Sequence, residues 1–280
     1  MRRFAADPSP ELGSYLLLQL LVLRQRIDEG RRDLDLFRAG ASLGQMYGLL
    51  LGNDGKFSTA HNWYRTATVL ADRSKDTALR SFVRGRSLNR GLYEGYTAKQ
   101  TLDGADEILS LAHSPNAGVL EAHAVRVCVH ALTNNVREGR LAIADMRDTV
   151  EHLPDSDSTA SLGTPLERTA FHNAYLESRV GSLDGAQRAC EDALKMLGNW
   201  PLWIAETKMY LARALVMAGD VKEGITYGLA TAQSMRHDVH VIGIAVRDVT
   251  TTVPEGYSSD ELKALQAYAS KVAGPWEALR

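Results

Sequence analysis

Apolar residues recur every three to four positions along most of the chain, and the stripes come in pairs separated by Gly- or Asn-containing turns. In residues 205–235, Leu211 and Ala212 lie in one stripe, Gly219-Asp220 break it, and Glu223-Gly224 open the next. A small residue at mid-helix lets a second helix come close, and Gly just past a helix end adopts the left-handed backbone that stops it. The spacing therefore predicts a helix-turn-helix unit. Residues 169–194 follow the same plan, with Ala174 at the contact, Gly181-Ser182 at the turn, and Ala186 and Ala193 in the second helix. Residues 82–109 turn at Gly95 and residues 121–150 at Asn134-Asn135. The first copy, residues 37–70, carries Leu43-Gly44 and Tyr47, then Ala60, Tyr64 and Ala67, with room for about one extra helical turn between Gly44 and Ala60.

The contact positions Gly44, Leu88, Val127, Ala174 and Ala212 are 44, 39, 47 and 38 residues apart. These spacings exceed the roughly 34 of a tetratricopeptide repeat, so longer linking loops are expected. The pattern predicts an all-α, tetratricopeptide-like α-solenoid of about five helical hairpins and about thirteen helices. Hairpins of this kind cannot bury their apolar faces alone and must stack. One domain over residues 1–280 is expected, with an N-terminal helix over about 9–30, repeats over 31–235 and a C-terminal cap over 236–280.

The ends refine this reading. Residues 12–23 are leucine-rich, but Gln19 and Arg24 limit them to about half a membrane span. Asp7, Pro10 and Glu11 argue against a signal peptide, and Ser9-Pro10 suits a helix start. Residues 239–253 are rich in valine and isoleucine, yet Val241, Ile244, Ala245 and Val249 fall near one helical face, which predicts a buried helix. Ser258-Ser259-Asp260-Glu261 resembles a capping box opening a last helix through Ala273, stopped by Gly274-Pro275.

Composition narrows the function. The 280 residues carry a formal net charge of -2, which gives no overall drive toward nucleic acid or anionic membrane, so neither is expected as a partner. Two cysteines, Cys128 and Cys190, sit on apolar faces as small hydrophobes and fit a reducing cytoplasm. His237 and His240 are three apart, but only Asp238 stands near them, so no metal is expected. No nucleophile signature, phosphate loop or paired carboxylates occur; no enzyme activity and no cofactor are expected. Arg80, Arg84, Arg86 and Arg90 split at 100° per residue into two pairs on different faces, which suits Arg–carboxylate pairing better than a nucleic-acid stripe.

Trp63-Tyr64-Arg65-Thr66-Ala67, then Ala71-Asp72-Arg73-Ser74-Lys75-Asp76 and Leu79-Arg80-Ser81-Phe82-Val83-Arg84-Gly85-Arg86, resemble the repeat region of large regulators from antibiotic-producing filamentous bacteria. The similarity continues through Glu121-Ala122-His123-Ala124, Ala186-Gln187, Ala193-Leu194 and Gly219-Asp220-Val221-Lys222-Glu223-Gly224, and spans residues 8–265. In that family a helix-turn-helix domain of the lambda-repressor (XRE-like) type precedes a tetratricopeptide sensor half. Only residues 1–8 precede the first helix here, so the expectation is a sensor half without its DNA reader, or the repeat fold kept by a stand-alone protein.

The resemblance implies a concave face lined by fixed positions of each first helix. Those positions are Arg38, Gln45, Phe82, Asn89 and Tyr93 early in the chain, and Glu121, Cys128, Arg168, Phe171, Tyr175, Arg179, Glu206, Met209, Arg213 and Met217 later. The mixture of arginines, aromatics and methionines suits a small amphipathic ligand or an extended peptide. Arg168, Arg179 and Arg213 are expected to take a carboxylate, with Phe171 and Tyr175 stacking beside it and Glu206 as a competing partner of Arg213. The function implied is a regulatory ligand- or peptide-binding protein tied to transcription or secondary metabolism. A stand-alone scaffold or accessory subunit that docks a biosynthetic protein is the alternative, and a homodimer stays open in either case.

Overall fold

The computed structural model describes residues 10–154, 164–198, 200–235 and 239–271. Thirteen α-helices hold 81% of these residues, and no strand occurs among them. They are α1 (Pro10–Asp28), α2 (Leu34–Asn53), α3 (Phe57–Ser74), α4 (Thr77–Gly91), α5 (Ala98–Leu111), α6 (Ala117–Leu132) and α7 (Val136–Glu151). The remainder are α8 (Pro165–Val180), α9 (Leu183–Leu197), α10 (Pro201–Ala218), α11 (Val221–Gln233), α12 (His240–Thr250) and α13 (Asp260–Ser270).

Local chemistry sets these boundaries. Asp76, Asn116, Ser182 and Ser259 each accept a hydrogen bond from a backbone N–H of the helix they open, and Thr97 with Gln100 forms a full capping box. Asn134 (φ 55°) and Gly219 (φ 100°) are left-handed just past α6 and α10, and Gly95 (φ 108°) lies in the turn after α4, while Gly181 ends α8 in an extended conformation. Among the described residues the longest helix is α2, with 20 residues, as the extra turn between Gly44 and Ala60 predicts. Residues 240–250 are helical despite their β-branched content, because Val241, Ile244, Val246 and Val249 all bury against neighbouring helices. Ser9, His237, Asp238 and Gly274-Pro275 lie outside the described residues.

Six hairpins follow α1: α2/α3, α4/α5, α6/α7, α8/α9, α10/α11 and α12/α13, each with its two helices in contact. Their first helices touch in succession, α2 on α4, α4 on α6, α6 on α8, α8 on α10 and α10 on α12. This is a helical-repeat solenoid, and the small contact residues sit where the pattern places them. Ala174 and Ala212 are fully buried, and a Cβ at Gly44 would lie 3.5 Å from Ala67. At the C-terminal end α13 covers α11 and α12 with Leu262, Leu265 and Ala269.

The solenoid curls far enough for α12 to reach α2. Phe57 at the start of α3 meets the His240 ring edge-on at 4.7 Å, and the inner helices α2, α4, α8, α10 and α12 close around a common void. The expected open concave face is therefore filled along much of its length by side chains of the chain itself.

The crossing of α4 on α6 is close. A Cβ added at Gly85 would lie 2.5 Å from the Glu121 Cβ, and one at Gly118 would overlap Ser81 and the backbone leading into Phe82. Gly118→Ala is expected to cost more than about 2 kcal/mol, the upper range for overpacking, since backbone must move. Gly185→Ala, at a half-buried site whose nearest contact is the Ser182 hydroxyl at 3.3 Å, is expected to be neutral or stabilising. Chemical denaturation compares the two; equal effects would refute the close crossing.

Candidate functional site

Where the inner helices converge, a void of about 50 Å³ is lined by Leu49 and Asn53 of α2, Arg86, Asn89 and Arg90 of α4, Arg168 and Phe171 of α8, and Leu202, Trp203 and Glu206 of α10. Tyr93 and Val241 complete the wall. Three guanidinium groups and three carboxylates occupy this region with almost no exposure. Glu121, fully buried on α6, accepts from Arg168 Nη2 at 2.5 Å and from Arg86 Nη1 at 3.5 Å. Glu94, just past α4, accepts from Arg90 Nε at 3.1 Å and from the Tyr64 hydroxyl at 3.2 Å. Glu206 has no donor within ion-pair distance among the described residues. Burial pushes its pKa up to about 7, against the pull of Arg90, Arg168 and Arg86.

Neutral partners order the same wall. His172 Nδ1 lies 2.7 Å from the Arg168 carbonyl and its Nε2 3.3 Å from Asn89 Nδ2. Burial, reinforced by Arg168 and Arg86, holds the ring well below its ordinary pKa, so it is neutral. The pattern is satisfied when Nδ1–H donates and Nε2 accepts. Arg168 also lies over Trp203 at 5.2 Å, and Trp203 stacks on Phe171 at 5.5 Å and on Trp200 at 5.2 Å. These contacts build an aromatic wall from the half-buried Trp200 inward to Tyr210 and Tyr175.

The positions read from sequence divide among three surroundings. Asn89, Tyr93, Arg168, Phe171 and Glu206 line the void, with Glu121 directly behind it. Tyr175, Arg179 and Arg213 belong to a second knot, where Arg179 and Arg213 both meet Asp248 of α12 and Arg213 donates to the Ser178 carbonyl at 2.9 Å. Phe82, Cys128 and Met209 are packing residues in the apolar core, and Gln45 is buried against Ser87. Arg38 faces outward and pairs with Asp35 and Asp76, and Met217 is 58% exposed.

Two expectations on charge need correction. The carboxylates facing Arg168, Arg179 and Arg213 are the chain's own Glu121 and Asp248, and Arg213 pairs with Asp248 rather than Glu206. Stacking of successive hairpins brings α6 against α8, and the curl of the solenoid brings α12 within reach of both α8 and α10, neither of which a frame built on single helices contains. The split of the four arginines on α4 holds, since Arg80 and Arg84 both grip Asp72 outside while Arg86 and Arg90 turn inward. Arg86, Arg90, Glu94, Trp203 and Asp248 were missed as site residues, although the four-residue spacing of Arg90 and Glu94 is a readable pairing signal.

Burial pushes the Cys128 and Cys190 thiols up to about 12, so neither is a thiolate near neutrality. No group of three or more His, Cys, Asp or Glu among the described residues could hold a metal ion, and no described helix is long and apolar enough to cross a membrane. No protein-family model matches the chain, and no curated protein matches it.

The state of Glu206 leaves a measurable trace. Its folded pKa lies above the unfolded value, so the stability it contributes is complete below about 4.5 and is lost as pH rises through about 7. Glu206→Gln removes this dependence. The variant's stability relative to wild type is expected to rise by roughly 2.5 kcal/mol between pH 5 and pH 8, most of the equivalent of the shift. A flat difference in urea denaturation across that interval would refute the buried, donor-free carboxylate.

Proposed function

We propose that the chain is a regulatory ligand-binding protein of the tetratricopeptide kind, acting by binding rather than catalysis and tied to transcriptional or secondary-metabolism control. The tie to transcription comes from the sequence resemblance. The observation that supports a ligand is a cleft of about 410 Å³ between α3, α4 and α5, on the far side of Glu94 from the ring centre. Its size falls in the range of roughly 300–1,000 Å³ usual for small-molecule sites. Val69, Leu88 and Ile108 supply an apolar wall, Arg65 and the Asp72-bound Arg84 cationic groups, Glu107 one carboxylate, and His61, Tyr64 and Tyr96 the aromatic floor. An amphipathic acid matches that lining, its acid group beside Arg65 and its body on the aliphatic side chains.

A physical route leads inward from this cleft. His61 Nε2 is 3.0 Å from Glu94 Oε2, and the other oxygen of Glu94 takes Arg90, which lines the ring centre. Arg90 and Glu94 both act on His240 at the closure with α2, where burial and Arg90 bring the imidazole pKa down to about 4. A ligand that engages His61 thus alters the charge felt at the closing contact, which is the kind of two-state element a sensor needs.

The alternative, a scaffold that docks a partner protein, draws on one different observation. Tyr15, Leu18, Leu21 and Val22 leave an apolar face of α1 open, each at least 39% exposed.

Thermal shift with decanoate and decanol separates the readings. Decanoate is expected to raise Tm more than decanol, and Val69→Glu together with Arg65→Glu is expected to abolish the shift without unfolding the chain, since both sites are exposed. No shift with either compound, combined with a specific protein co-purifying from the native cell and lost in Leu18→Glu, would replace the sensor by the scaffold.

A further inference from the structure

We propose that the ring centre is a binding site for a single carboxylate group, held by Arg86, Arg90 and Arg168. The site is separate from the cleft between α3, α4 and α5, and the inference does not rest on that reading. Each of the three arginines is at least nine-tenths buried, and each keeps one buried N–H without an acceptor among the described residues: Arg86 Nε, Arg90 Nη2 and Arg168 Nε. All three side chains line the same void. An orphaned N–H on a buried cation is costly, because the group has lost its water and gained nothing in exchange.

The charge balance says what is missing. Glu94 is committed to Arg90, and Glu121 to Arg168 and Arg86, which leaves one positive charge of the three without a fixed counter-ion. Glu206 is the third carboxylate on the wall, but it accepts from no described donor, and burial favours its neutral form up to about pH 7. In that form the lining carries a net charge of one, which one monoanion cancels. A dianion such as sulfate overshoots. Planar guanidinium groups pair best with a planar acceptor that offers two oxygens, so a carboxylate fits the donors better than chloride does.

Size and access agree with this class. About 50 Å³ holds a group of a few heavy atoms but no larger body. Trp203, Leu202 and Tyr93 are half-buried at the edge of the void, and Trp203 continues outward by stacking on Trp200 with the rings 18° from parallel. The carboxylate therefore comes from one of two sources, a small free acid that fits whole or the acid group of a planar molecule whose ring passes along Trp203.

The test is a titration of the full chain at pH 6.5 with sodium acetate and sodium benzoate, against sodium chloride and sodium sulfate at matched ionic strength. Tryptophan emission is the readout, since Trp203 borders the site. Saturable binding of acetate or benzoate, with none for chloride or sulfate, is expected; benzoate binding more than tenfold tighter assigns the site to an aromatic acid, and similar affinities assign it to a small one. Arg86→Gln is expected to weaken binding at least tenfold while folding survives, because Glu121 keeps its 2.5 Å bond to Arg168. Val69→Glu in the cleft is expected to change nothing. Glu206→Gln provides a second check that preserves shape. The charged groups that act on this side chain are Arg86 and Arg90 from α4 and Arg168 from α8, and the titratable Tyr93, Cys128 of α6 and Tyr210 of α10 are kept neutral by burial, so removing its ionisation is expected to raise affinity several-fold at pH 8. Equal responses to acetate and chloride, undiminished binding in Arg86→Gln, or no gain in Glu206→Gln at pH 8 would each overturn the site.

Discussion

Three guanidinium groups held out of water at the centre of a closed ring of helices are the constraint on which the rest of this structure depends. Removing such ions from solvent costs several kcal/mol each unless geometry and hydrogen bonds compensate. The compensation here comes from long range in sequence. Arg168 on α8 finds Glu121 on α6, 47 residues earlier, and Arg86 on α4 shares the same carboxylate. The arrangement exists only if α4, α6 and α8 approach closely and in register. Gly85 and Gly118 permit that approach, because at either position a side chain would push α4 and α6 apart and draw Glu121 away from its arginines.

Closure extends the same logic around the ring. Asp248 on α12 binds Arg179 of α8 and Arg213 of α10, which draws the last hairpin inward. Its first residue, His240, then packs against Phe57 and completes the circuit with the first hairpin. Apolar packing between successive hairpins supplies most of the burial, as the continuous core from Leu92 through Tyr210 shows. The charged knots contribute something different. They fix how far the solenoid curls, since each needs partners from helices that touch only at one curvature. Glu94 joins the interior to the outside, being bound to Arg90 on one side and next to His61 on the other.

Much of the fold was legible in the sequence because its signals are local. Gly219 and Asn134 mark turns through backbone conformation, Ser259 marks a helix start through its hydroxyl, and Ala174 and Ala212 mark helix contacts through size. The split of Arg80 and Arg84 from Arg86 and Arg90 follows from 100° of rotation per residue. The site was legible only in part. Arg168, Phe171, Asn89 and Glu206 were found because the repeat frame gives inward-facing positions. Their mutual burial was not, because the curl of a solenoid accumulates from small rotations between hairpins and leaves no mark at any one residue. For the same reason Glu121 and Asp248 could not be seen as the partners of arginines two helices or more away, and Arg38, inward in the frame, lies outside where Asp35 and Asp76 hold it.

The closed ring is tested most directly by joining its two ends in solution. Phe57→Cys with His240→Cys places one thiol on each side of the closure, while the native cysteines are buried and slow to react. With a short bis-maleimide, closure predicts that most of the monomeric protein is captured with an internal cross-link between positions 57 and 240, at low protein concentration and without dimer. Separate modification of both thiols, with no internal cross-link, would contradict the closed ring and leave the arginines at its centre open to water.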